Sequence, residues 1–238
     1  MVRVGTCGFP ISRSVLFKTL DVVEVQRTFY RPPRIDTVRR WREEAPAGLR
    51  FTLKAWQLIT HEPSSPTYRR LGMDIEGGRD RYGRFRPTRQ VFEAWEVTEG
   101  ICEALEASAV VFQSPPSFKE SRENISNMME FFSSLSPQWI FCWEPRGGWS
   151  PATILDLCSS LRLIHCVDPF AGPPLTKERA YLRLHGSPPG GKRYTYTYSD
   201  EDLRELRTMC EGYEEVYVLF NNVTMFADAV RFKEAMRV

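Results

Sequence analysis

Several apolar runs along this chain close on polar or charged side chains: Glu24 and Gln26 in "DVVEVQ", Lys54 in "RFTLKA", Gln113 in "SAVVFQ", Glu144 in "WIFCWE", followed by Arg146. The pattern continues with Asp168 in "RLIHCVD", Arg183 and His185 in "AYLRLHG", and Asn221 and Asn222 in "VYVLFNN". A charged group inside an apolar run costs free energy unless it is paired or brought to a site where something binds. Glu24, Glu144, Asp168 and His185 are suitable ligands for a divalent ion such as Mg2+ or Mn2+, with Gln113 or Asn221 as neutral supplements. Lys54, Arg146 and Arg183 suit an anionic group, phosphate or carboxylate, while Lys54 or His185 suits proton transfer. The same set also works without metal if the basic side chains neutralise the acids. His61, in "ITHE", is a second acid/base candidate. A small phosphorylated or sugar-like substrate undergoing hydrolysis or isomerisation would use all of these groups, which makes Glu24, Lys54, Glu144, Asp168 and His185 the catalytic candidates.

These side chains need elements that bring them together. Eight apolar runs, beginning with "VRVGT" at residue 2, are separated by stretches with helical and capping signals such as "IDTVRRWREE" and "SDEDLRELRTMC". Strands alternating with helices imply a parallel sheet covered by helices, and eight such units suggest a single α/β domain over residues 1–238, a TIM-like (β/α)8 barrel. The open-sheet alternative lacks its fingerprint: "GTCGFP" after the first run has neither GxGxxG nor a Walker lysine. In a barrel, active sites lie at the C-terminal ends of the strands, where the polar residues fall. Strand side chains alternate faces, so Glu24 shares a face with Gln26, and Arg183 with His185. Arg183 is expected one layer below His185, paired with Glu144 or Glu24, and His165 is expected to face the helices with a local hydrogen bond. There is no GxSxG elbow, and Cys142 reads as packing one layer below Glu144.

One connection is abnormally long. More than fifty residues separate the third and fourth runs, and residues 62–90 form a basic, Arg-rich insertion without clear period, with seven Arg against four acids and Tyr68, Tyr82 and Phe85 interleaved. The helix expected after it, from about Val91 to Ala107, carries Glu93, Glu96, Glu99, Glu103 and Glu106 on one face, and the basic loop is expected to fold over that face. The alternative is a nucleic-acid-binding protein or nuclease, with the loop arginines on phosphates and Tyr68, Tyr82, Phe85 or the series Tyr194, Tyr196, Tyr198 stacking on bases. Those last three tyrosines also alternate as a strand would. The loop "GSPPGGKRYTYTYS" offers Gly190, Gly191, Lys192 and Arg193 as an anion site. A barrel that binds a metabolite and catalyses nothing is a third reading.

The composition is that of an ordinary folded domain, with 42% apolar and 26% charged residues. A formal net charge of +2 means that any attraction to nucleic acid must come from a local patch. No stretch has the roughly 18–20 apolar residues of a membrane span, and "MVRVGTCGFP" lacks the apolar run of a signal peptide, so the chain is expected to be cytoplasmic, with no membrane partner. The six cysteines form no CxxC pair, which argues against structural zinc and for reduced, buried thiols.

Taken in order, "GTCGF", "VEVQRTFYRPP", "FTLKAWQLITHE", "FQSPPSF", "WEPRGGW", "VDPF", "YLRLHG" and "YVLFNN" resemble the motifs of the domain-of-unknown-function 72 family, the YecE-like proteins. The resemblance covers nearly the whole chain and implies a TIM-barrel-like fold, but no known reaction. It implies a family pattern falling on Glu24, Thr28, Phe29, Tyr30, Lys54, Thr60, His61, Gln113, Glu144, Arg146, Asp168, Arg183, His185, Gly186, Asn221 and Asn222. From this set, Thr28, Tyr30, His61, Gln113, Arg146, Arg183, Asn221 and Asn222 are the substrate-binding candidates. The chain departs from the pattern at Phe9 and Pro10, where an aromatic pair is usual, and at Gln26, where Asn is commoner.

Overall fold

The computed structural model describes residues 1–236. Each of the eight apolar runs is a strand: β1 (Val2–Cys7), β2 (Val22–Val25), β3 (Arg50–Lys54), β4 (Ala109–Gln113), β5 (Ile140–Glu144), β6 (Leu163–Val167), β7 (Arg179–Leu184) and β8 (Glu215–Phe220). All neighbouring pairs are parallel, and β8 returns to β1, so the sheet is a closed barrel in sequence order. The helices between them are α1 (Arg13–Thr19), α2 (Arg27–Tyr30), α3 (Ile35–Glu44), α4 (Gln57–Thr60), α5 (Arg89–Leu105), α6 (Arg122–Ser133), α7 (Pro151–Leu161), α8 (Asp200–Met209) and α9 (Met225–Ala235). Among the described residues no helix is long and apolar enough to cross a membrane.

Alternation along the strands produces two cores. One lies between barrel and helices and contains Phe51, Leu53, Val110, Phe112, Trp143, Leu182, Val218 and Phe220. The other fills the barrel interior with Cys7, Val22, Ala109, Val111, Cys142, Cys166, Tyr181, Tyr217 and Leu219. Residues of the same parity but nearer the strand ends, such as Glu24, Lys54, Glu144 and Arg183, therefore face inward above that plug. His165 has the opposite parity and accepts a hydrogen bond at Nδ1 from the Leu175 amide, 3.2 Å away, as its alternation implied.

The 62–90 insertion does not fold over the acids of α5. Arg84 and Arg86 instead both reach Glu62, at 2.8 and 3.0 Å, and Arg89 pairs with Glu93 within the helix itself. Glu96 and Glu103 stand exposed. The reason lies in the loop's anchor. Residues 83–85 run back along α4, with the Gly83, Arg84 and Phe85 amides donating to the carbonyls of Leu58, Thr60 and Ile59. This run is left-handed at three successive residues, with φ of 76° at Gly83, 55° at Arg84 and 53° at Phe85. A left-handed conformation costs an L-residue roughly 1–2 kcal/mol, and here it drops the Phe85 ring into a cluster with Phe112, Phe118, Phe131 and Phe132, with centroids 5.4–6.0 Å away. At Gly83 a Cβ would also stand 2.4 Å from the His61 carbonyl carbon. Gly83→Ala is accordingly expected to destabilise the protein by more than about 2 kcal/mol, read as a lowered urea midpoint; a variant within roughly 0.5 kcal/mol of the parent, the scatter of neutral surface changes, would show that Gly83 does not hold the anchor.

The 194–198 tyrosines do not form a strand. The segment turns, with Tyr194 at a φ of 69°, and the three rings go to different places. Tyr194 is exposed and edges onto His185, Tyr196 donates to Asp202, and Tyr198 is buried with its hydroxyl accepting from the Gly186 amide.

Candidate active site at the barrel mouth

Arg183, projecting inward from β7 with 1% of its surface exposed, is the centre of the site. Its Nη2 donates to Glu24 Oε1 at 2.9 Å, and its Nη1 donates to Glu144 Oε2 and more weakly to Gln113 Oε1 at 3.3 Å. One guanidinium thus ties β2, β4 and β5 to β7. Below it the Tyr181 hydroxyl, two residues earlier on the same face, donates to Glu24 Oε2 at 2.9 Å and meets Thr52 Oγ1 at 2.7 Å. Gln26 donates to Glu24 from above. Burial alone would raise the Glu144 carboxyl, but the guanidiniums of Arg183 and Arg146 more than offset it and hold the group well below the usual carboxylate range.

The layer above is the rim. Arg146 donates from Nε and Nη2 to Glu144 Oε1, at 2.9 and 2.8 Å, which leaves Nη1 directed towards the Tyr194 hydroxyl at 3.5 Å. His185 lies between Glu144 and Asn221, with Nε2 3.3 Å from Glu144 Oε1 and Nδ1 3.1 Å from Asn221 Nδ2. The Asn221 amide lies at Nδ1 and Arg146 Nη2 lies 3.1 Å from Nε2, so each ring nitrogen faces an N–H donor, and the Glu144 contact takes a ring proton only in the tautomer protonated at Nε2. Burial lowers His185 to about 4 in spite of that carboxylate, so the ring is neutral at pH 7. Asp168 accepts from the His185 and Phe170 amides, at 2.9 and 3.2 Å. Glu144, Arg146, Asp168, His185 and Arg193 line one cavity of about 230 Å³.

Burial lifts Asp168 to about 6, although those two amides pull it back. Its ordinary value is 3.8, so the folded protein holds a proton between about pH 4 and 6 that the unfolded chain has lost. Stability contributed by that proton is full below pH 4 and lost as pH rises through 6. Relative to Asp168→Asn, the native protein is expected to lose about 3 kcal/mol between pH 4 and 7, from 1.36 kcal/mol per pKa unit. Urea titrations of both proteins across that range check it, and a parallel pH dependence would contradict the shift.

Lys54 differs from Arg146 and Arg183, which are both bound to carboxylates. It is 5% exposed, its Nζ sits 3.5 Å over the face of Phe29, and among the described residues it meets no hydrogen-bond acceptor and no carboxylate. Burial first, and then the charge of Arg183, lowers its ammonium to about 7 despite the attraction of Glu144. His61 is buried beside it against Phe29, its Nδ1 2.8 Å from Thr60 Oγ1, and burial with Lys54 and Arg146 lowers it to about 3.

The structure therefore brings together Glu24, Lys54, Gln113, Glu144, Arg146, Asp168, Arg183, His185 and Asn221. His61 lies on the Lys54 side. Two candidates face elsewhere. Thr28 is a backbone strut, its hydroxyl between the carbonyls of Val25 and Lys54. Asn222 has outward parity and bonds to Tyr196 O and Asp228 Oδ2 under α9, away from the mouth. Tyr30 lies under the Arg70 guanidinium, 3.6 Å from its ring centre, on the rim over β2. Tyr181 and Thr52 join the site without having been singled out, and Arg193 and Tyr194, expected in an anion site and in base stacking, join it as well. Tyr181 was recoverable, since it has the parity of Arg183 and His185 in "YLRLHG".

The expected divalent-ion set of Glu24, Glu144, Asp168 and His185 does not fit such an ion. Glu24 and Glu144 are engaged by Arg183 and Arg146, Asp168 is turned to two backbone amides, and the His185 Nε2 faces Glu144 and Arg146. No group of three or more His, Cys, Asp or Glu among the described residues is arranged to hold a metal. Of the four residues expected to form an anion site after β7, Lys192 and Gly191 are exposed and Gly190 packs against Tyr196, while Arg193 lines the rim cavity.

The family profile described as "Protein of unknown function DUF72" matches residues 14–238. No curated protein matches the chain. Among solved structures, a DUF72 family protein from Enterococcus faecalis V583 is 17% identical, with a TM-score of 0.77 over 100% of this chain and 96% of that one. A DUF72 family protein from Thermotoga maritima MSB8 is 20% identical, with a TM-score of 0.70 and full coverage of both chains. SacUVDE, at 8% identity and a TM-score of 0.60 over 99% and 96% of the two chains, shares the fold.

Proposed function

Since this chain belongs to the DUF72 family, whose function its description leaves open, the reading has to come from the site, and we propose that it is an enzyme performing proton transfer on a small anionic substrate, phosphorylated or sugar-like, in a hydrolysis or an isomerisation. The observation that carries this is Lys54. A structural lysine in such a mouth would be spent on Glu24 or Glu144, but both carboxylates are bound by arginines. What remains is a buried amine lowered to about 7, the value at which a general base and its conjugate acid are both populated in neutral solution.

Arg146 and Arg193 supply the positive charge at the rim cavity. Its volume of about 230 Å³ is below the roughly 300–1,000 Å³ of most ligand pockets, which favours a substrate of a few carbons with one anionic group. In this reading a substrate anchored in the rim cavity, which Lys54 does not itself line, extends to the Lys54 amine, which removes a proton; Asp168 returns or supplies one, and neutral His185, held between Glu144 and Asn221, adds no charge to the site. Glu24, Arg183 and Tyr181 hold the frame. The nucleic-acid reading draws less support: Arg84 and Arg86 are bound to Glu62, Arg89 to Glu93, and Arg70 lies on Tyr30.

The test is incubation with a panel of three- to six-carbon sugar phosphates and phosphorylated hydroxy acids in D2O, followed by proton NMR. Deuterium entering a substrate carbon, or release of phosphate, is the expected result, with Arg146→Met weakening substrate affinity. Binding without exchange or release leaves a metabolite-binding barrel, and no binding across the panel removes the small-anion reading altogether.

A further inference from the structure

A second cavity, of about 590 Å³, opens over the ends of β1 and β2, across the barrel from the β5–β7 cavity. Nothing in the reaction proposed above uses it. Arg27, Arg31 and Arg70 line it together with Phe9, Tyr30 and Trp41, and no Asp or Glu does. Among the described residues none of those three arginines meets a carboxylate within 4.0 Å, whereas Arg13, at the cavity's edge, is already paired with Glu44 at 2.7 Å. Three unpaired guanidiniums around one concavity repel one another, a cost that a bound anion removes.

The walls add a second kind of chemistry. Phe9 and Trp41 pack together, with centroids 5.3 Å apart, and the Arg70 guanidinium carbon lies over the Tyr30 ring, 3.6 Å from its centre. Phe9 and Tyr30 keep part of their surface in solvent, and the arginines beside them stand exposed. Phe9 and the Arg70–Tyr30 stack, next to the free guanidiniums of Arg27 and Arg31, match a planar ring joined to a phosphate, since arginine pairs bidentately with phosphate and aromatic faces or guanidinium planes take a base of any identity. The volume lies within the usual range for a small-molecule site and exceeds that of the rim cavity more than twofold. We propose that this cavity binds a nucleoside phosphate, with its phosphate on Arg27 and Arg31 and its base against the Phe9 and Tyr30 side. The bound molecule would lie beside Gln26, which lines the cavity and donates to Glu24 in the barrel floor.

The experiment is calorimetric titration of the full-length protein with AMP, adenosine and ribose 5-phosphate. AMP is expected to bind at least about tenfold more tightly than either part, the equivalent of one charge-assisted contact. Arg31→Met should weaken AMP and ribose 5-phosphate by about tenfold and leave adenosine unchanged, while Phe9→Leu should weaken AMP and adenosine and leave ribose 5-phosphate unchanged. Both positions are at the surface or partly so, and melting temperatures confirm that the variants fold. Lys54→Met should alter none of the three, which keeps this site separate from the rim chemistry. AMP binding no better than ribose 5-phosphate, or indifferent to Arg31→Met, overturns the assignment. So does displacement of AMP by a ten-residue oligothymidylate with steep salt dependence, which would make the cavity part of a nucleic-acid surface.

Discussion

Arg183→Met is expected to destabilise the protein by about 3–5 kcal/mol, the cost of leaving buried charges without their partner. Glu24 is fully buried and Glu144 nearly so, and both carboxylates are bonded to the same guanidinium. Methionine fills much of the arginine's volume, so the loss measures electrostatics more than a cavity. Glu144 retains Arg146 at the rim, whereas Glu24 keeps Tyr181 and Gln26, which are neutral. Adding Glu24→Gln to Arg183→Met should therefore recover a large part of the loss. Urea unfolding of the single and double variants measures this. A loss below about 1 kcal/mol, within the range of an exposed ion pair, would mean that the triad contributes little and that the barrel interior tolerates two free carboxylates.

Lys54→Met is expected to act in opposite directions on activity and stability. In the reaction proposed above, removing the base should lower the turnover of whichever panel substrate reacts by about 10²–10⁴-fold, with a much smaller change in its affinity. Stability should increase, because a buried, unpaired amine is replaced by an apolar side chain of similar length. The sign of the pH dependence follows from the lowered ammonium. Between about pH 7 and the ordinary value of 10.5 the unfolded chain holds a proton that the folded protein has given up, so this lysine makes stability rise with pH across that window. Lys54→Met should lack the rise, and its advantage over the parent should shrink from pH 7 towards pH 10. A variant that is less stable at pH 7 would show that the Nζ makes a favourable contact in solution and is not a free base.

Much of this was legible in the sequence because strand parity is a local property. Eight runs of the right length gave eight strands, and the period of two put Glu24, Lys54, Glu144 and Arg183 on the inner face. That face and the rule that buried charges are compensated gave Arg183 one partner, Glu144 or Glu24, and in the folded chain it takes both. What parity could not supply was competition between partners. The four candidate metal ligands share a region, yet two are neutralised by arginines, a fact of three-dimensional distance that spacing along the chain does not carry. The same limit explains the insertion: charge counts made α5 the obvious partner for its arginines, but the Phe85 anchor fixes the backbone first and leaves Arg84 and Arg86 beside Glu62. Asn222 shows a limit of motif reading. It adjoins Asn221 in sequence, and one step along an extended chain carries it to the opposite side of the barrel wall.

The two cores divide the cysteines evenly, and this gives the protein its own chemical clock. All six thiols are free and buried, and burial raises those described here, so a thiol reagent reaches them in the native state only through opening. Cys7, Cys142 and Cys166 lie inside the barrel, while Cys102, Cys158 and Cys210 lie under the helices. Labelling rates at the second set time the lifting of a helix, rates at the first time the parting of strands, and their ratio reports whether the shell can come away while the barrel stays shut.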